Sequence, residues 1–344
     1  VIDVEAPGLL TTVQDLGRWG YQHLGLGPCG VMDADAARIA NLLVGNDPGA
    51  AVLEITLAGP RLVLESGAWI AWTGAPSAVT LNETDLPGWR PAWAPAGSRL
   101  SWGGLYRGCR SYLAVGGGIE VPLVLGSRST DLRAGIGGLE GRALQTGDRL
   151  PLGTPRRPSP GFRADAFWPD WWVSEDAPLP DQPVTLPFIA GPDWSTLADS
   201  AREALLIGAF RVSYRFDRMG LRLSGPALPA PPGHERLSAG VTVGTLQLPP
   251  DGQPILLGVD RQTTGGYPVL GTVARVARSR LAQLRAGDAV AFRPLPIAAA
   301  QALHRRHERS ISRLSVALDM AVCCIADRAR PVEAPPDGAG ARSP

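Results

Sequence analysis

Apolar residues along this chain come mostly in short runs broken by glycine and proline, a pattern that predicts strands more often than helices. Within residues 1–153 the runs at 8–13, 52–57, 61–64, 69–72 and 111–115 read as strands. One helix is expected among them at 33–45, where Asp33 supplies a cap, apolar residues recur at helical spacing and Gly45 stops the run. The stretch 188–296 predicts a helix at 195–206 and strands at 210–214, 221–224, 242–248 and 255–259. After Pro296 the period changes. Ile311, Leu314, Leu318, Val322 and Ile325 form one seam over 298–329, with Arg305, Arg306, Arg309 and Arg313 on other faces. That predicts a long amphipathic helix docked on the β domains or on a partner protein.

Between the two β-rich stretches, Pro155, Pro158, Pro160, Pro169, Pro178, Pro180 and Pro183 punctuate a segment with no sustained period. Trp168, Trp171 and Trp172 in it favour a connection packed along a surface over a bare disordered linker. The expected organisation is a β domain at 1–153, a Pro/Trp-rich connection at 154–187, a second β domain at 188–296, a helix at 297–330 and a disordered tail at 331–344. Faint echoes relate the two β stretches. Leu57-Ala58-Gly59-Pro60 resembles Leu223-Ser224-Gly225-Pro226, and each half closes with a Leu, a Gly-Asp and an apolar strand at 144–150 and 284–290.

A length of 344 residues with 44% hydrophobic residues leaves room for roughly two domains with real cores. The 42 glycines and 33 prolines have no collagen period and suit many short strands joined by turns. A net charge of +1 gives no reason to expect nucleic acid or a membrane surface as partner. Neither a signal-peptide pattern at the start nor a long uncharged apolar run is seen, and Cys29, Cys109, Cys323 and Cys324 lack metal-ligand spacing, so a reduced, cytoplasmic protein without a metal site is expected. All 33 Lys+Arg are arginine. Without lysine there is no Schiff base, no Ser-x-x-Lys nucleophile and no Walker loop. Anions must be held by guanidinium forks or backbone N–H groups.

Three constellations combine glycine with polar side chains. The first is Asp15-Leu16-Gly17-Arg18-Trp19-Gly20, followed by Gly30-Val31-Met32-Asp33. Asp15 and Arg18 form either a site or a local turn pair, and Asp33 is most simply the helix cap. The second runs Gly126-Ser127-Arg128-Ser129-Thr130-Asp131-Leu132-Arg133-Ala134-Gly135, where Arg128 and Arg133 flanking Asp131 form either a carboxylate fork or a structural pair. The third runs Asp260-Arg261-Gln262-Thr263-Thr264-Gly265-Gly266-Tyr267-Pro268. Its amide, hydroxyls and bare backbone suit a small planar polar ligand that Tyr267 could cap or protonate; the alternative is a tight turn whose hydroxyls bond their own backbone.

These motifs, together with Ala40-Asn41-Leu42-Leu43-Val44-Gly45-Asn46, resemble the biotin-dependent carboxyltransferase family over about residues 5–295. That family includes allophanate hydrolase subunit 2, the C subunit of bacterial 5-oxoprolinase and the carboxyltransferase part of urea carboxylase. The resemblance implies a mainly β fold of two cyclophilin-like β-barrel domains with a few short helices and a C-terminal helix. It also implies one of two chemistries on an amide: carboxyl transfer from carboxybiotin to a urea-type nitrogen, or ATP-dependent opening of 5-oxo-L-proline to L-glutamate.

The sequence holds no carboxylase, ATP-grasp or biotin-carrier segment, which favours the stand-alone branch, the 5-oxoprolinase C subunit. Its partners would be a B subunit, similar to allophanate hydrolase subunit 1, and a separate A subunit. ATP would serve the complex, phosphorylating the lactam oxygen so that water can attack. With no lysine the chain cannot carry its own biotin and would receive carboxybiotin in trans if it were a carboxyltransferase. A non-enzymatic partner that antagonises a kinase-inhibitor protein is the remaining alternative. The resemblance places catalysis on Asp260, Gln262, Thr263, Thr264 and Tyr267. It places substrate binding on Arg128, Ser129, Thr130, Asp131, Arg133, Gly265, Gly266, Asp15, Arg18 and Asp33, with Arg128 or Arg133 on the carboxylate.

Overall fold

The computed structural model describes residues 1–157, 159, 165–173, 183–229 and 237–328. In the first half, two antiparallel sheets face one another. One has six strands in the order Arg149–Leu150, Ile2–Ala6, Arg61–Leu64, Arg99–Leu105, Ser77–Leu81, Thr84–Asp85. The other has five, ordered Leu10–Gln14, Val52–Thr56, Arg110–Val115, Ala68–Gly74, Ala92–Ala94. Ile2, Val4, Leu62, Leu64 and Leu100 from the first sheet meet Val13, Leu53, Ile55, Ile70, Trp72, Leu113 and Val115 from the second in one core.

The five-stranded sheet is buried on both faces, which is why several of its strands read as continuous apolar runs. Leu53, Ile55, Ile70, Trp72, Leu113 and Val115 point into the inter-sheet core. Their alternates Val52, Trp69, Ala71, Tyr112 and Ala114 point outward, against helix α1, Ala34–Leu43. Asp33 caps α1, its carboxylate accepting from the Ala36 N–H at 3.1 Å, as the sequence predicts.

The second half is a closed seven-stranded barrel, ordered Val184–Ala190, Val269–Val273, Thr245–Gln247, Ile255–Leu257, Gly220–Ser224, Phe210–Phe216, Ala289–Pro294. Parallel pairing of its last strand with its first closes the ring. A separate core fills it, with Phe188, Phe210 and Phe292 in edge-to-face contact. Helix α2, Asp199–Ile207, adds Ala201 and Leu205 to this core, and helix α3, Arg278–Ala282, adds Leu281.

The chain is therefore mainly β, with one closed barrel beside a pair of open sheets. Helix α2 starts four residues later than the pattern predicts. Thr196 turns back on the Asp193 carbonyl at 2.9 Å and Leu197 drops into the barrel core. The 242–248 run forms strand only over Thr245–Gln247, because the Thr245 hydroxyl accepts from the Thr242 N–H at 3.1 Å and closes a turn.

Helix α4, Ile297–Arg328, returns from the end of the chain to the first half. Ile311, Leu318 and Leu314 pack on α1. Arg38 of α1 holds both oxygens of Glu308 at 3.0 Å, and His307 meets Asp35 at 2.9 Å. The Val322 and Ile325 side chains and the 331–344 tail lie outside the described residues, as does part of the 154–187 connection. In its described part, Phe167 pairs with Trp93 and lies edge-on to Trp69. Among the described residues no helix is long and apolar enough to cross a membrane, and no group of His, Cys, Asp and Glu could hold a metal ion.

Candidate functional site

Glu54 and Tyr112 are cross-strand partners on the outward face of the five-stranded sheet, both essentially inaccessible to solvent. A carboxylate placed there must be compensated. One Glu54 oxygen accepts from the Met32 N–H at 2.7 Å and from the Tyr112 hydroxyl at 2.9 Å. The other pairs with Arg218, which reaches across from the barrel half, and lies 3.7 Å from Arg110. Arg218 also forks onto both oxygens of Asp260, at 2.8 and 2.9 Å, and donates to the Gly30 carbonyl at 2.7 Å. Burial alone would lower the Arg218 pKa, but Asp260 and Glu54 outweigh it and hold the guanidinium firmly charged. Tyr112 is pushed well above its ordinary value by burial and then by the Glu54 charge, so its hydroxyl stays a proton donor.

Gln283 joins the halves a second time. Its carbonyl oxygen accepts from the Cys109 and Arg110 N–H groups, at 3.1 and 2.9 Å. Its amide nitrogen donates to the Arg110 carbonyl at 3.0 Å and lies 3.3 Å from Asp33. Arg110 in turn donates to the Ala282 carbonyl at 2.5 Å. Asp33 therefore sits inside this junction, and burial, followed by the Asp35 charge, raises its pKa.

The first two constellations are woven together through Asp15. One of its oxygens accepts from the Gly17 N–H at 2.8 Å and from the Ser127 and Ser129 hydroxyls at 2.7 and 2.5 Å. The other accepts from the Arg128 N–H at 2.6 Å. Arg18 is almost fully buried and donates to the Val124 and Ser129 carbonyls at 2.9 and 2.8 Å. Thr130 donates to the Val13 carbonyl at 2.9 Å. Asp15, Arg18, Ser129 and Thr130 thus form the scaffold of a loop cluster.

Among the described residues neither Arg128 nor Arg133 pairs with Asp131. Asp131 instead accepts from the N–H groups of Arg133 and Ala134, at 3.0 and 2.9 Å, and closes a turn. Arg128 spends its guanidinium on the Val121 carbonyl at 2.9 Å and on Glu120. Arg133 lies exposed.

The third constellation joins the other two at Cys29, a residue held at φ +54. Burial, then the charges of Asp260 and Asp131, push the Cys29 thiol far up, so both loops face it and it stays protonated. Gly30, at φ +89, lies so close to Gly17 that a Cβ would come within 2.9 Å of its backbone nitrogen. Thr264–Gly265 pairs with Ala239–Gly240 as a two-stranded ribbon, and the Thr263 carbonyl accepts from the Val241 N–H at 3.0 Å. The ribbon leaves Gln262, Thr264 and Tyr267 exposed and Thr263, Gly265 and Gly266 half-buried. Their amide, hydroxyl and phenol groups are therefore open to a ligand, whereas Asp260 is taken up by Arg218. A cavity of about 210 Å³ opens elsewhere, among Val1, Trp69, Trp93, Gly116 and Arg157, and contains none of these motif residues.

Glu54, Arg110, Tyr112, Arg218 and Gln283 escaped the sequence reading because they stand in or beside runs that look like plain core. A usable signal existed. Glu54 interrupts Val-Leu-Glu-Ile-Thr, and a charge inside an otherwise apolar strand must have a buried partner.

Residues 24–294 match the family described as carboxyltransferase domain, subdomain A and B. The chain is 42% identical over 286 residues to the 5-oxoprolinase C subunit of Escherichia coli, covering 83% of this chain and 88% of that protein. It is 32% identical over 321 residues to the 5-oxoprolinase C subunit of Haemophilus influenzae, covering 93% and 98% respectively. Among solved structures it resembles the K. lactis urea amidolyase, with TM-score 0.80 and 31% identity over 91% of this chain. It spans only 20% of that much longer chain.

Proposed function

This chain belongs to the carboxyltransferase domain family, and from that membership we propose that it is the C subunit of an ATP-dependent 5-oxoprolinase, an enzyme complex that opens 5-oxo-L-proline to L-glutamate. The observation that carries the proposal is the near end-to-end match to C-subunit proteins, 42% identical over 88% of one of them. The A and B subunits complete the complex. The two β halves, 1–153 and 188–296, act as cyclophilin-like domains, a division supported by their separate apolar cores.

Within the site the exposed ribbon holds the lactam. The Gln262 amide and the Thr263 and Thr264 groups hydrogen-bond its planar N–C=O, and Gly265 and Gly266 admit it to the backbone. Tyr267, 45% exposed, covers the ring face. Once ATP has phosphorylated the lactam oxygen, releasing ADP, the amide resonance is lost and a water adds to the ring carbon. The C–N bond then breaks, the ring nitrogen leaves as the protonated glutamate amine, and a second water hydrolyses the remaining acyl phosphate to the carboxylate and phosphate. Residues of this chain orient the amide for that step.

The test is glutamate release from 5-oxoproline and ATP by the complex assembled from purified components. Release that requires this chain and falls at least a hundredfold with Gln262→Ala supports the proposal; unchanged turnover in the folded variant removes the ribbon from the mechanism. Likeness to urea amidolyase supports a second reading, carboxyl transfer from carboxybiotin supplied in trans. The same preparation offered urea and carboxybiotin distinguishes it.

A further inference from the structure

Arg128 is engaged by Glu120 and the Val121 carbonyl, and three other arginines offer a second place where an anion could sit. Arg261 follows Asp260 at the foot of the ribbon and is 4% exposed. Among the described residues its guanidinium hydrogen-bonds only to backbone carbonyls, those of Val241 at 3.2 Å and Val259 at 3.5 Å. Arg278 opens α3 and is half-buried, with its Nε enclosed and without a hydrogen-bond partner among the described residues. Arg275 stands exposed one turn earlier, and α3 lies against the foot of the ribbon, since its Ala282 packs in one apolar cluster with Val243 and with Val259, whose carbonyl the Arg261 guanidinium meets.

The countercharges nearby are already engaged. Asp260 acts on Arg261, yet both its oxygens hold Arg218. Glu308 lies within the field of Arg275, yet both its oxygens hold Arg38. Cys29 beside Arg261 stays a neutral thiol. Burial, then the Arg275 and Arg261 charges, lower the Arg278 pKa to about 10, and no acidic group offsets them. Among the described residues none of the three arginines forms an ion pair. A buried guanidinium without a carboxylate, facing two like charges, is costly to the fold. A ligand that supplies negative charge removes that cost.

We propose that Arg261, Arg275 and Arg278 form an oxyanion-binding site beside the Gln262 ribbon, seating the carboxylate of a small ligand while the ribbon holds its amide. The identification of that ligand as 5-oxoproline or glutamate rests on the proposed function above; the anion site itself does not. A phosphate group shares the same chemistry, so the test separates the two sources.

Binding is measured by titration calorimetry on the full chain at low salt, with 5-oxo-L-proline, L-glutamate, inorganic phosphate and uncharged 2-pyrrolidinone as probes. At least one anion should bind the wild-type chain. Its affinity should fall at least tenfold in Arg275→Gln and in Arg278→Gln and hold in Arg305→Gln on the solvent face of α4. Without ligand, Arg278→Gln should melt no lower than wild type, since it removes an uncompensated charge; a structural arginine would lower the melting temperature instead. Binding of the two carboxylates but not of 2-pyrrolidinone supports a carboxylate seat. Binding of phosphate alone keeps the anion site and makes it a phosphate seat, overturning the carboxylate assignment. No anion binding up to about 10 mM, or equal affinity in both variants, overturns the site. If the site fails while the assembled complex still releases glutamate, the proposed function stands without it.

Discussion

Arg218→Met is the sharpest test of the junction between the halves. Methionine keeps much of the aliphatic stem and deletes the guanidinium, so packing changes little while four contacts disappear. Those are two to Asp260, one to Glu54 and one to the Gly30 carbonyl. Glu54 is left at 1% exposure with Arg110 3.7 Å away as its nearest cation. Removing one member of a buried ion pair costs about 3–5 kcal/mol, mostly from stranding the remaining charge. The fork onto Asp260 places Arg218→Met at the upper end of that range. At roughly 2 °C per kcal/mol for a chain of this size, the melting temperature should fall by about 8–10 °C. Calorimetry on the full chain measures it. Adding Glu54→Gln to Arg218→Met should recover at least about 1 kcal/mol, because the stranded charge is then gone and only a neutral amide needs partners. A loss below about 1 kcal/mol in the single variant, or strict additivity in the double, would refute the idea that this ion pair joins the halves.

Three further outcomes follow from the same geometry. Tyr112→Phe leaves Glu54 and the Asp33 N–H each short of a buried partner, so it should cost about 1–3 kcal/mol in urea denaturation without changing the fold. Gly137→Ala should cost at least about 2 kcal/mol, because φ +69 disfavours a side chain and its Cβ would run into the Ser129 carbonyl and Arg18; a stable variant would show the loop cluster to be loose. The docking of α4 should depend on pH. The Asp35 hydrogen bond raises the His307 pKa, so that contribution is whole below about pH 6.5 and is lost as pH rises through the folded value. Burial would raise Asp35, but His307 and Arg38 prevail and lower it, so its contribution is present above about pH 4 and is lost as pH falls through its folded value. Protection from hydrogen exchange along the helix, taken relative to the intrinsic chemical rate, should therefore be greatest near pH 5–6, and His307→Gln should abolish its loss at alkaline pH.

Much of the fold was legible because period and punctuation agree. The Asp33 cap, the Gly45 stop and the seam through Ile311 and Leu318 each have one structural solution, and the structure adopts it. What pattern could not convey is which strands close. The runs at 61–64 and 221–224 look alike, yet the first joins an open sheet and the second a closed barrel, because closure depends on pairing between distant strands. The same limit applied to the site. The polar stretch at 262–267 stands out by its own residues as either a ligand loop or a tight turn, whereas the Glu54–Arg218 pair joins positions 164 apart and no local spacing encodes it. Arg128 shows the same limit from the other side: it sits near Asp131 in sequence, yet its guanidinium meets Glu120 and the Val121 carbonyl.

Helix α4 completes the covering of α1 from the far end of the chain, with Glu308 meeting Arg38 across 270 residues. On a ribosome adding about 5–20 residues per second, the α1 partners of Ile311 and Leu318 emerge roughly 13 to 54 s before those two residues do. The first half is itself synthesised only by about residue 153, so over the last roughly 8 to 32 s of that interval it is a nearly finished domain with an apolar strip still open to its surroundings. Nascent copies are thus most vulnerable to association with one another, and most in need of a chaperone, until Ile311 and Leu318 emerge. Premature termination between the barrel and Ile311 should yield a chain that folds both cores and still aggregates.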